Sequence, residues 1–310
     1  MNFQQLRIIR ETVRQGFNLT EVANALFTSQ SGVSKHIKDL EDELGVELFV
    51  RKGKRFLGLT DPGQELLTYV ERMLLDAGNI KRLADQFSQH DAGQLTIATT
   101  HSQARYALPK VVSAFKQAFP KVHLVLYQAN PSEIVRLLQS GEADIGIATE
   151  AIAHAPDLAS FPFYDWHHSV ITPPGHPLLE RPLTLETLAE YPIVTYHLGF
   201  SGRAQIDQTF ADAGLEPDIG MAALDADVVK TYVELGLGVG IVASMVVEPS
   251  RLDQRVEVVA GEPLFSRQTA RIAIRRGHYL RSYAYRFIEL CSDQLDEATV
   301  RSALNPLAQE

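Results

Sequence analysis

A helical pattern running without interruption from Thr60 to about Gln89 constrains this chain more than any other feature. Thr60-Asp61-Pro62-Gly63 is a helix-start signal, with Thr60 or Asp61 as cap and Pro62 in the first turn, where its missing N–H leaves no bond unmade. Beyond it Leu66, Val70, Met73, Ala77, Ile80, Ala84 and Phe87 recur at alternating spacings of four and three, with Glu65, Glu71, Arg72, Asp76, Lys81, Arg82 and Asp85 between them. This is a heptad seam. At 1.5 Å per residue such a helix spans on the order of 43 Å, more than a small domain covers. The stripe therefore calls for a second copy of the chain or, as the plainer alternative, for the chain's own second domain.

The segment before the helix favours the second copy. Residues 19, 22, 23 and 26 place Leu, Val, Ala and Leu on one helical face, with Thr20 as the expected N-cap. After a turn at Thr28, a second helix is predicted to bury Val33, Ile37, Leu40 and Leu44, leaving Gln30, Ser31, Ser34, Lys35 and Lys38 outward. This is the layout of a helix-turn-helix, whose second helix lies in the DNA major groove and whose dimers read paired half-sites. Arg51, Lys52, Lys54 and Arg55 then surround Gly53 between two apolar segments, a basic hairpin suited to phosphate contact. The pattern predicts that Thr28, Gln30, Ser31, Ser34, Lys35 and Lys38 face the groove, and that Gln30 meets a base edge.

The net charge of -9 looks unsuited to DNA until it is divided along the chain. Residues 1–60 hold nine Lys/Arg against seven Asp/Glu, whereas the remaining 250 residues hold twenty against thirty-one. Exposed charges are screened beyond about 8 Å at physiological salt, so the local excess decides phosphate affinity. The absence of a long apolar run and of an export-type N-terminus predicts a cytoplasmic protein with no membrane span. The single cysteine, Cys291, excludes an internal disulfide and reads as a core position.

After His90-Asp91-Ala92-Gly93 the periodicity changes to alternating strands and helices. Strands are predicted over 95–99, 122–128 and 144–149, with helices over 104–119 and 132–140 between them. A second set follows: strands over 169–172, 193–196 and 239–243, with helices over 185–190, 203–213 and 227–235. A returning strand over 270–275 and a final helix over 279–294 complete two α/β lobes with a cleft between them. The polar tail after Asp296 is expected to fray.

In such lobes ligands bind beyond the carboxyl ends of strands, where helix N-termini offer free N–H groups. Thr99-Thr100-His101-Ser102-Gln103 and Tyr196 to Arg203, which includes Ser201, have that form. Facing each other, they suit a small oxyanion held by neutral donors and helix dipoles. Thr149 ends the third strand, and Trp166 either walls the cleft or fills a core. Gly236-Leu237-Gly238-Val239-Gly240 follows a helix and enters a strand, the reverse of a nucleotide-binding loop. His167 and His168 point to opposite faces and lack ligand-spaced partners, while Asp225 and Asp227 read as helix caps. No nucleophile elbow or catalytic carboxylate pair is present, so neither an enzyme nor a cofactor is expected.

Ala23, Thr28-Ser29-Gln30, Ser34, Leu40 to Gly45, Leu48-Phe49, Arg51 and Thr60 to Gly63 resemble the LysR-type transcriptional regulators. Residues 99–109, 141–150 and 225–233 are similar to its CysB and Cbl branch, which controls sulfur acquisition. The resemblance covers nearly the whole chain. It implies an α/β protein with a winged helix-turn-helix over 1–60, a linker and dimerisation helix over 61–90, and a two-lobed, periplasmic-binding-protein-like (type 2) effector domain over 91–310. It further implies homotetramers, promoter DNA as partner, and sulfate, thiosulfate, adenosine phosphosulfate or O-/N-acetylserine as effector. Contacts to that effector are implied for Thr100, Ser102, Gln103, Thr149, Trp166 and Ser201. Ser102 and Ser201 stand where the branch more often has threonine, and Ser31 where LysR-type recognition helices often have proline. A regulator of another pathway, a cytoplasmic small-molecule binding protein and an enzyme on the same two-lobed fold are the alternatives.

Overall fold

The computed structural model describes residues 1–53, 55–88, 92–149, 151–200, 202–247 and 255–304. Packing divides the chain into Met1–Ala84 and Asp85–Glu310. The first unit opens with three helices, α1 (Phe3–Arg14), α2 (Leu19–Ala25) and α3 (Gln30–Leu44). Asn2 and Gln5 form a reciprocal capping box on α1. Asn18, not Thr20, caps α2: its Oδ1 accepts from the N–H groups of Thr20 and Glu21 at 3.1 and 3.4 Å. Ser29 caps α3 through Gly32 N–H at 3.1 Å, and Gly45, at φ 71°, ends it. Val33, Ile37 and Leu40 are fully buried among Leu6, Ile8, Ile9, Val22 and Phe49. Leu44, expected in that stripe, is 39% exposed because it lies in the last turn, past the reach of α1 and α2.

The antiparallel pair β1 (Phe49–Lys52) and β2 (Arg55–Leu59) forms the wing, closed by Phe49 stacked on Phe56 at 4.9 Å. α4 (Asp61–Ser88) follows, with Thr60 Oγ1 accepting from Gly63 N–H at 3.1 Å. Its apolar stripe is divided between two faces. Val70 and Leu74 are buried in the unit's own core, with Leu66 and Leu67 packed against it. Tyr69, Met73, Ile80, Leu83 and Phe87 remain exposed. The predicted seam is thus corrected: Leu66 and Val70 belong to the helix-turn-helix core, and the uncovered face runs through Tyr69, Met73, Ile80, Leu83 and Phe87.

The second unit contains β3 (Gly93–Thr99), α5 (Pro109–Ala118), β4 (Val122–Gln128), α6 (Pro131–Ser140), β5 (Ile145–Ala148), β6 (Leu158–Trp166) and β7 (His168–Thr172). Then come α7 (Leu185–Ala189), β8 (Ile193–Tyr196), α8 (Arg203–Asp212), β9 (Met221–Ala223), α9 (Ala226–Glu234), β10 (Val239–Ala243), β11 (Glu257–Val258), β12 (Gln268–Arg275), α10 (Ser282–Cys291) and α11 (Glu297–Leu304). They build two five-stranded sheets, ordered β4-β3-β5-β12-β6 and β11-β7-β10-β8-β9. Within them β3 runs parallel to β4 and β5, and β8 parallel to β9 and β10, so the carboxyl ends at Thr99, Ala148 and Tyr196 open on the same kind of site. The chain leaves the first sheet through β6 and returns through β12, two paired strands that carry it between the lobes.

Two sequence expectations change here, and one strand is added. β6 is a nine-residue strand that Pro162 concealed; it lies at the sheet edge, with a register shift beside Pro162, where a missing N–H is tolerated. The tail does not fray before Leu304: α11 buries Val300 and Leu304, and Asp296 caps it through Thr299 N–H at 2.8 Å. The helix expected over 104–119 is broken into a π-helical turn, Gln103–Ala107, and α5. Gly238 serves packing, since a Cβ there would stand 2.2 Å from the Pro192 carbonyl. Cys291 packs on the core, and burial pushes its thiol pKa up, away from reactivity. Among the described residues no helix is long and apolar enough to cross a membrane.

Candidate effector cleft and DNA-contacting surface

A cleft of about 410 Å³ lies in the second unit. One wall is Thr100, His101 and Ser102, which follow β3; another is Tyr127 and Gln128, which end β4, with Asn130 beyond them; Phe200, Leu224 and Asp225 come from the other lobe. Thr100, Ser102 and Gln103 are 5%, 4% and 3% exposed, so the strand end delivers three polar side chains to an interior position. The Tyr196 hydroxyl accepts from Ala243 N–H at 3.0 Å, with Ser102 beside it. Full burial pushes the Tyr196 pKa up to about 12. Gln103 Oε1 accepts from the Tyr164 hydroxyl at 2.5 Å, and Trp166 Nε1 donates to Thr149 Oγ1 at 3.1 Å.

The predicted effector residues therefore sort into two groups. Thr100 and Ser102 line the cleft; Gln103, Thr149 and Trp166 are tied to neighbours, and Ser201 lies outside the described residues. Trp166 is 4% exposed and meets the edge of His168, whose burial against Gly202 shows why that position is glycine. A Cβ on Gly202 would stand 2.5 Å from the His168 ring, and its φ of 77° is one that side chains avoid.

Asp225 and Asp227 part company. Asp225 caps α9 through Val228 N–H at 2.9 Å. Asp227, expected to do the same, joins the lobes instead: it lies 3.1 Å from Arg105 Nε, 3.7 Å from His101 Nε2, and accepts from the Tyr106 hydroxyl. Burial, then the Asp227 carboxylate, push the Tyr106 pKa upward. His101, Asp225 and Asp227 bring possible metal-binding atoms within 4.8 Å of one another, but Arg105 already supplies the positive charge there. No local pattern marks this junction, because Asp227 lies 121 or more residues from its partners.

In the first unit Thr28, Gln30, Ser31, Lys35 and Lys38 are exposed and Ser34 is half-buried, all at or on α3. A groove of about 630 Å³ runs beside Gln30, bounded by the turn from Gln15 to Thr20 and by Arg55 and Leu57 of the wing. Lys52 and Arg55 are exposed, and Lys54 lies outside the described residues. Arg51 differs from its expected role as a phosphate anchor. Its guanidinium is paired with Glu41 and lies 4.7 Å from the centre of the Phe56 ring. Glu41, 7% exposed, also accepts from Leu48 and Phe49 N–H at 2.8 and 3.3 Å, fastening the wing to α3.

Residues 3–64 match the family described as "Bacterial regulatory helix-turn-helix protein, lysR family", and residues 88–296 the "LysR substrate binding domain". This chain is a LysR-type transcriptional regulator. The regulator is 56% identical to "HTH-type transcriptional regulator SsuR" of Burkholderia cenocepacia, over 98% of this chain and 99% of that one. It is 51% identical to "HTH-type transcriptional regulator cbl" of Escherichia coli, over 100% and 98%. The solved cofactor-binding domain of the Cbl transcriptional regulator superposes with a TM-score of 0.65 at 46% identity, covering 69% of this regulator and 93% of that chain. These relatives place it in the sulfur-assimilation branch of the family, as a DNA-binding regulator and not an enzyme. Regulators of this family bind promoter DNA and small effectors, and oligomerise.

Proposed function

We propose that this regulator acts in the cytoplasm on promoters of sulfur-assimilation genes, as a homodimer through residues 61–90 that assembles further into a tetramer. In this reading residues 1–60 bind DNA and residues 91–310 sense a small anion or acetylserine. The observation that carries it is the pair of buried hydroxyls, Thr100 and Ser102, at a strand end that opens on a cleft with no lysine or arginine in its lining among the described residues. Such donors favour a small oxyanion without the heavy desolvation of a fixed positive charge. Asp225 and Glu133 also line the cleft, which favours a ligand that carries an ammonium as well, such as O-acetylserine, over a bare dianion. Gln103, Thr149, Trp166 and Ser201 are the further effector residues of this reading.

The effector shifts the regulator only by its difference in affinity for two arrangements. Closure across the cleft is the motion the Asp227 junction restrains. Calorimetry on the full chain with sulfate, thiosulfate, adenosine phosphosulfate and acetylserine tests the site. Heat from at least one, lost in Thr100→Ala, is expected; silence from all four overturns it. The exposed face of α4 is tested by sedimentation: Ile80→Glu is expected to shift the oligomer toward monomer, and an unchanged mass would show that the stripe is covered otherwise.

A further inference from the structure

Two residues other than glycine adopt positive φ among the described residues, and both are phenylalanines of the DNA-binding unit: Phe17 at 65° and Phe27 at 51°. A bulky side chain in that region is an outlier that the surrounding structure has to hold in place. For Phe17 the compensation is visible, since its ring packs on the core and meets Phe49 edge-on at 6.3 Å. Phe27 has none. It is 99% exposed.

Its backbone is nonetheless firmly set. Thr28 N–H bonds to Ala23 O at 2.9 Å and Phe27 N–H to Asn24 O at 3.3 Å, the two bonds of a Schellman ending on α2. Phe27 sits at the position in that motif where glycine or asparagine is usual. It precedes by two residues Ser29, the cap of α3, and by three residues Gln30, the first residue of that helix. Residues 27–31 are exposed without interruption. A large apolar ring is thus held, against backbone preference and without packing, at the end of the helix that enters the major groove.

We propose that Phe27 is a specificity-determining residue that reads thymine by contact of its ring with the C5-methyl group. Among the four bases only thymine presents an apolar group in the major groove, and phenylalanine is one of the side chains that meets it. The contact buries the ring, which is what the free structure lacks. This inference rests on α3 being the groove-facing helix.

The test uses the full chain and a duplex enriched from a random-sequence library by that chain. Each thymine is replaced in turn by uracil, which removes only the methyl group. Expected for the natural chain is a loss of about five- to tenfold in affinity at one thymine per half-site, on the scale of a single base-pair preference. Phe27→Ala binds the parent duplex about as weakly and no longer distinguishes uracil from thymine there, while Phe27→Tyr keeps the discrimination. Phe27→Gly, relieved of the unfavourable φ, melts at or above the natural temperature. A Phe27→Ala chain that keeps the thymine preference overturns the proposal, whether its affinity is unchanged or uniformly reduced. Lys35→Ala serves as the companion variant: if it too leaves binding untouched, the groove-facing reading of α3 fails; if it weakens binding while Phe27→Ala does not, only the thymine contact fails.

Discussion

The two proposed binding regions of this regulator treat their polar side chains in opposite ways. On α3 Gln30, Ser31, Lys35 and Lys38 are exposed. Around the cleft Ser102, Gln103 and Trp166 are buried, and Gln103 and Trp166 are already bonded to Tyr164 and Thr149. A macromolecular partner brings its own surface and needs one presented in advance. A small ligand in a buried site has to replace bonds that the protein has made with itself, and that replacement gives it leverage over the fold. In the proposed function the first region is a fixed reader held by Glu41 and the wing, and the second a set of internal bonds open to exchange.

The largest effect is expected where the fixed reader is held. Glu41→Ala leaves Arg51 and the Leu48 and Phe49 N–H groups without their acceptor. A loss of about 4 kcal/mol in the first unit, read as an early thermal transition, follows from removing the buried acceptor of two backbone N–H groups and of a partly exposed guanidinium. Equal stability would mean that the wing is not fastened through Glu41.

Next is the alkaline limit of the second unit. The buried Tyr196 phenol has its pKa raised from 10.0 to about 12, so its neutral form is favoured in the folded state. Its contribution is complete below about pH 10 and is lost as pH rises through 12, roughly 3 kcal/mol in all. Denaturant titrations across pH 9 to 12 should show that fall in the natural chain and a shallower one in Tyr196→Phe.

Exchange within the cleft is tested by Ser102→Ala, expected to weaken the effector found by calorimetry about tenfold and to leave promoter affinity without effector unchanged. Ser102→Thr should restore binding. If Ser102→Ala binds effector normally, the hydroxyl is a lobe contact only, and the contrast between the regions weakens. The smallest effect is Lys35→Ala, which lowers the salt dependence of promoter binding by about one unit of slope. A slope identical to the natural chain at several salt concentrations would remove Lys35 from the phosphate contacts.

The elements that could be read from the chain are those whose evidence is local. Periodicity and capping residues within one or two turns located α2, α3, the wing and α4, and alternation located β3, β4, β8 and β10. Thr100 and Ser102 were legible for the same reason, lying where a strand pattern gives way to a helical one. β6 was hidden because Pro162 argues against a strand unless its place at the sheet edge is known. The exposed end of α3 at Leu44 and the buried end of α11 at Leu304 likewise depend on what stands opposite, which no periodicity reports.

By itself the sequence determined the order of the elements, the division of charge between the DNA-binding segment and the rest, and the hydroxyl-rich strand end on which the cleft is built. Tertiary structure alone decided the partners. It turned Arg51 from the expected phosphate contact to Glu41, turned Asp227 from a cap to the junction of the lobes, and assigned half of the apolar stripe of α4 to a core and half to an open face. The physical reason is the same in each case. A side chain's chemistry is fixed by its own atoms, but its role is set by the nearest complementary group, and folding brings that group from anywhere in the chain.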